Sequence, residues 1–303
     1  MLSLHAIHIY QVLFILNFQA WHAPLNRQAI IHVLDDVIKA MKIDRENFVL
    51  LLSDAARYMT AAGSLLMQLY PRLSHVTCIA HLLHNCAEKV RNSFGAVDTL
   101  IATVKAATVR NKDRKELFSE IGYPPDPVIT RWGTWLKAAF YYADKLPKVK
   151  EVIESFDGHG LLVTRVKAAA AAPSLSSDLL AIRRDYTDLV RLLEKCESSS
   201  YTIAAAHCDL QQLMLGSDSC KIRLYLDKRL SNNPSLLDIM SLKRDDISPT
   251  LYGCLQQCQP TSVCVERSFS ILKKMLAKDR NFKPENIESY CMMLFNAERH
   301  NTD

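Results

Sequence analysis

Glycine and proline are scarce in this 303-residue chain: eight Gly and eleven Pro make about 6% of the residues, roughly half the usual share of these two types. Tight chain reversals draw on both residues, so the scarcity excludes a many-stranded sandwich or barrel and favours long helices. An apolar share of 49% against 23% charged residues supplies a large core and excludes a disordered tail. The net charge of +5 permits a nucleic-acid partner without establishing one.

The nine cysteines (Cys78, Cys86, Cys196, Cys208, Cys220, Cys254, Cys258, Cys264 and Cys291) show neither small-domain density nor a paired C-x-x-C framework. An odd count suits reduced intracellular thiols better than disulfides. No run of eighteen or more uncharged apolar residues indicates a membrane span. Ile9 to Phe18 has the length of a signal-peptide core, but it lacks a basic flank, contains Gln11 and Asn17, and ends without a small-x-small cleavage site. It reads as a buried strand.

Periodicity divides the chain in two. Tyr10 to Phe18, Phe48 to Leu52 and His75 to Ile79 read as strands, alternating with helices over Leu25 to Met41, Ala55 to Leu69 and Ala80 to Arg91. Strand, carboxylate, helix is an α/β pattern that puts Asp54 at a strand's carboxyl end, where open sheets place ligands. From Val97 onward the pattern is helical. Arg110 to Lys115 reads as a charged link, Trp135 to Ile153 as a helix bent at Pro147, Ser174 to Glu197 and Tyr201 to Leu230 as further helices, and Pro249 to Pro260 as a link. Val265 to Leu276 and Pro284 to Leu294 follow as the last helices.

Four short motifs occur in order: Leu52-Ser53-Asp54 ending a strand, Cys78-Ile79-Ala80-His81 opening a helix, Thr130-Arg131-Trp132 after a proline break, and Val265-Glu266-Arg267-Ser268-Phe269-Ser270 near the C-terminus. Taken together, with an all-helical stretch between the third and fourth, they resemble the hAT superfamily of DNA transposases over about residues 10 to 300. The runs SDAARYM, HVTCIAHLLHNCAEKVR and TRWGTW are similar to transposon-derived proteins grouped with CGG triplet repeat-binding proteins.

The resemblance implies an α/β core with an RNase H-like mixed sheet, incomplete at its N-terminal strands, a large all-α insertion and C-terminal helices, helix-rich overall. The implied division is residues 1–130 for the first part of the core, 131–250 for the insertion, and 251–303 for a dimerisation region returning the last helix to the core. In that family three carboxylates hold two divalent ions for phosphodiester cleavage and strand transfer. By motif match Asp54 is the second acid and Glu266 the third; Cys78, His81, Arg131 and Trp132 are structural motif positions. The first acid should sit on the leading strand, yet residues 1 to 34 contain no Asp or Glu, and Asp35 and Asp36 fall on a helix.

The implied function is thus a truncated, catalytically inactive transposase-derived protein, nuclear, retaining self-association and nucleic-acid binding. It needs no cofactor in this form, and Mg²⁺ or Mn²⁺ only if a third acid completes the site of Asp54 and Glu266. Two alternatives are an active metal-dependent transposase with a truncated gene model, and a host-recruited chromatin or transcription-associated protein. A homo-oligomer through the C-terminal region, DNA and no membrane are the expected partners. Lys105, Arg110, Lys112, Arg114 and Lys115, with Lys273 and Lys274, are the candidates for phosphate contact.

Each motif also has a plainer reading. Asp54 can be a helix N-cap, and Glu266 a solvent-facing residue paired with Arg267. Cys78, His81, His84 and Cys86 lack the spacing of a common zinc finger. Trp135, with Arg131 and Trp132, suits packing of the insertion better than stacking on a base.

Overall fold

In the computed structural model of the chain the described residues are 26–40, 42–109, 111–128, 133–158, 160–198, 200–216, 220–241 and 248–262. They are helix-rich, with one small parallel sheet of two strands. The chain divides into two compact units, one of Met1–His81, Cys196–Cys208 and Arg229–Asp303, the other of Leu82–Lys195 and Asp209–Lys228.

In the first unit, α1 (Arg27–Ala40) presents Ile30, Leu34 and Ile38 at four-residue spacing, one buried stripe. Strand β1 (Leu50–Ser53), helix α2 (Arg57–Leu69) and strand β2 (Ser74–Thr77) follow as a β-α-β unit with Leu51 opposite His75 and Ser53 opposite Thr77. All four residues of β1 are buried, as the unbroken apolar run requires. Leu51 joins the α1 stripe and Met59, Ala62 and Leu66 of α2 in one core, closed by Phe48 edge-on to Tyr70 at 5.1 Å between ring centroids. The unit also holds α12 (Pro234–Ser241) and α13 (Pro249–Gln256). Helix α12 packs on β2, and α13 packs on α12.

Among its described residues the second unit contains helices and connecting segments and no strand. Helix α3 (Ile79–Ser93) enters it from the end of β2, followed by α4 (Gly95–Val109), α5 (Lys112–Glu116), α6 (Thr134–Glu154), α7 (Leu161–Ala170), α8 (Leu175–Asp185) and α9 (Thr187–Lys195). Two further helices, α10 (Ile203–Gly216) and α11 (Cys220–Leu230), each belong partly to both units. Helix α4, apolar around much of its girth, is the hub on which α5, α6, α7 and α8 pack. Helix α6 continues through Pro147. Gly133, at its N-cap, has φ +66°, and a Cβ there would meet Leu193 Cδ1 at 2.9 Å, so both conformation and space demand glycine.

Three sequence expectations need correction. Arg110 to Lys115 is not wholly a link: Lys112–Glu116 is helical because the Asn111 side chain accepts from Arg114 N–H at 2.9 Å, a cap. Pro249 opens α13 rather than a link, occupying the first helical turn behind Ser248, whose hydroxyl accepts from Leu251 N–H. The helix expected over Ser174 to Glu197 breaks at Tyr186, whose buried ring packs edge-on to Phe94 at 6.1 Å. The expected strand Tyr10 to Phe18 and the last helices, Val265 to Leu276 and Pro284 to Leu294, lie outside the described residues.

Candidate functional site

The sheet's carboxyl end brings Asp54 and Cys78 to equivalent positions: each is the first residue past its strand, and Cys78 N–H donates to Ser53 O at 2.7 Å. Asp54 is half-buried, and its Oδ1 accepts from Ala56 N–H at 3.1 Å. That two-residue side-chain turn redirects the chain into α2. The cap position of α2 belongs to Ala56, which makes no side-chain cap bond, so Asp54 shapes the turn and does not cap the helix.

Beneath Asp54 lies a polar network that sequence reasoning missed. Ser53 is fully buried, and its Oγ donates to Asp54 O at 2.7 Å and lies 2.8 Å from His75 Nε2. With the single hydroxyl proton directed at the Asp54 carbonyl, His75 Nε2–H is the donor to Ser53 Oγ, an assignment made from the bonding pattern. The His75 ring, 8% exposed, lies against Gly63 of α2, where a Cβ would stand 2.2 Å from Nδ1. Burial pushes His75 down to about 4, the Asp54 carboxylate pulling weakly the other way. Burial likewise raises the nearby Tyr58 hydroxyl, with Asp54 adding to the rise. A glycine inside a helix of this glycine-poor chain was the available signal, because such a residue costs about 1 kcal/mol relative to Ala and needs a packing reason.

Cys78 is a buried acceptor. Its Sγ takes a hydrogen bond from Ser262 N–H at 3.2 Å, while the next residue, Ile79, donates its N–H to Pro260 O at 3.0 Å. Burial raises the Cys78 thiol despite N–H groups of Ser262, His81 and Ala80 that favour the thiolate. His81 stands half-buried in the first turn of α3. Thr261 Oγ1 donates to Cys196 O and Ile203 N–H to Cys258 O, so residues 258–262 are stitched to two other stretches of the first unit.

The remaining motif residues scatter. Trp135 is buried, and its indole Nε1 donates to Asp98 Oδ1 at 2.8 Å, the same oxygen that takes Arg91 Nε at 2.7 Å; this ties α6 to α4. Lys105 pairs with Asp126 at 2.5 Å and bonds Pro127 O. Arg114 lies over the Phe156 ring and bonds Asp157 O, Lys115 lies over Tyr123, and Lys112 is exposed. Asp35 pairs with Lys39 on the surface of α1. Glu266, Arg110, Arg131, Trp132, Lys273 and Lys274 lie outside the described residues. Among the described residues, no three His, Cys, Asp or Glu side chains gather as a metal ion would need, and Asp54 is the carboxylate at the sheet end through which a cation could be held. No helix among them is long and apolar enough to cross a membrane. No family model matches the chain, and no curated protein matches it.

Proposed function

We propose that the chain is a transposase-derived protein with an RNase H-like core, in which Asp54 and Glu266 are the remnant of a two-metal site, and that this polypeptide does not itself cleave DNA. The observation that carries the reading is the position of Asp54: first residue past β1 of a parallel β-α-β unit, with the C-x-x-H run of Cys78 and His81 starting one residue past β2 at the same end. Two neighbouring parallel strands with a carboxylate between strand and crossover helix are what such a core requires of its second acid.

The position of Ser262 supports the same reading: its N–H donates to the Cys78 thiol one residue past β2. Activation of the attacking oxygen in a two-metal site would need a third anionic ligand beside Asp54 and Glu266. The activities that remain are self-association through residues 251–303 and salt-sensitive nucleic-acid binding, to which the exposed Lys105, Lys112 and Lys115 would contribute. A nuclear location follows from such a role.

The test is incubation of the purified chain with end-labelled duplex DNA in Mg²⁺ and in Mn²⁺, beside an Asp54→Asn variant. No nicking by either protein, with retention of the DNA that falls steeply with salt, is expected. Metal-dependent nicking lost in Asp54→Asn would show the chain to be an active enzyme. DNA retention absent even at low salt would remove nucleic-acid binding from the proposal.

A further inference from the structure

The outer edge of β2 is closed by a side chain. In the parallel pair, Ser74 N–H donates to Val49 O and Cys78 N–H to Ser53 O, so the alternate residue Thr77 turns its backbone groups away from β1. Both are taken by one residue: Thr77 N–H donates to Asn233 Oδ1 at 3.3 Å, and Asn233 Nδ2 donates to Thr77 O at 3.1 Å. A carboxamide offers one acceptor and one donor in the same spacing as a backbone amide pair, so Asn233 supplies what a residue of a further strand would supply.

The position is unusual for that work. Asn233 immediately precedes α12, where Asn normally spends its side chain on its own helix's free N–H groups. Here the backbone carbonyl of Asn233 accepts from Leu236 and Leu237 N–H while the carboxamide is diverted to the strand. The residue is 5% exposed and Thr77 is half-buried, so the bonds are partly shielded from competing water. Helix α12 is itself braced from α13, whose Tyr252 hydroxyl donates to Asp238 O and whose Gln256 amide donates to Ile239 O. The carboxamide is therefore presented from a fixed support.

We infer that Asn233 is an edge lock: it stands in for a third strand at β2 and prevents the strand of a second copy of this chain from pairing there. Open strand edges are templates for such pairing, and proteins block them in a variety of ways. An isologous β2 to β2 contact is the association that the lock forbids.

The experiment compares the full chain with Asn233→Ala by amide hydrogen exchange and by light scattering over a concentration series. The parent's own association is the baseline. At concentrations low enough to keep the variant monomeric, Thr77 N–H is expected to exchange about tenfold faster or more, the measure of a lost hydrogen bond, while Cys78 N–H, bonded to β1, keeps its protection; as concentration rises the variant associates beyond the parent. Unchanged exchange at Thr77 overturns it. Faster exchange without added association also overturns it, since the carboxamide would then brace the strand and shield nothing. If Asn233→Ala does not fold, Asn233→Asp decides: its carboxylate still accepts from Thr77 N–H but opposes Thr77 O. Protection of Thr77 with added association supports the lock, and no added association refutes it.

Discussion

Replacing Gly63 by alanine separates packing from helix propensity by sign. Gly63 lies inside α2 with no unusual φ, so propensity alone makes Gly63→Ala stabilising by about 1 kcal/mol. The structure puts the new methyl 2.2 Å from His75 Nδ1 and 2.4 Å from its Cγ, against an ordinary contact of about 3.5 Å. Ring or helix must move by about 1.3 Å to restore that contact. The ring has little freedom, being 8% exposed and bonded to Ser53 at 2.8 Å. Overpacking costs about 1–3 kcal/mol and loss of the buried Ser53–His75 bond about 1–3 kcal/mol. After the propensity gain, a net loss of about 1–5 kcal/mol is expected. Urea unfolding followed by circular dichroism measures it, and His75→Ala in the same background should recover at least about 1 kcal/mol as non-additivity. A Gly63→Ala protein as stable as the parent, or more so, would refute the placement of the ring.

Two other outcomes follow from the same contacts. His75 is neutral in the fold and held down to about 4 by burial, whereas in the unfolded chain it takes a proton near 6.5. Its contribution is therefore complete above about pH 6.5 and is lost as pH falls toward 4, worth about 3 kcal/mol over that window; unfolding of His75→Gln at several pH values should lack this slope, and parallel curves would contradict the assignment. In the second unit, Asp98→Ala removes the acceptor shared by Trp135 and Arg91, a loss of about 1–2 kcal/mol given the partial exposure of the ion pair. Asp98→Asn should cost less because it keeps an acceptor for the indole, and equal losses would show that the indole bond contributes nothing.

The β-α-β order, the strand end at Asp54 and the helical character beyond Val97 were legible because long apolar runs and four-residue spacings report burial directly. The strand Leu50–Ser53 and helix Arg57–Leu69 fall within a residue or two of their expected places. What escaped were features decided by a single partner far along the chain. Asn233 reads as an ordinary residue before a proline, and only the fold brings it 156 positions back to Thr77. His75 reads as one polar interruption in a strand until Ser53 and Gly63 are placed around it. Asn111 and Pro249 carried local helix-start signals, a cap and a first-turn proline, which charge and proline content obscured. The basic run around Lys115 looked free for phosphate because sequence shows charges and hides their partners, Asp126 and the rings of Phe156 and Tyr123.

The distance between the carboxyl groups of Asp54 and Glu266, taken from a crystal structure of the chain soaked in Mn²⁺, tests the central claim most directly. Convergence to within about 8 Å, the span across which two carboxylates can share ions about 3.5–4 Å apart, is the expected result, with no third carboxylate beside them. Separation beyond about 15 Å, outside any shared coordination sphere, would contradict the account.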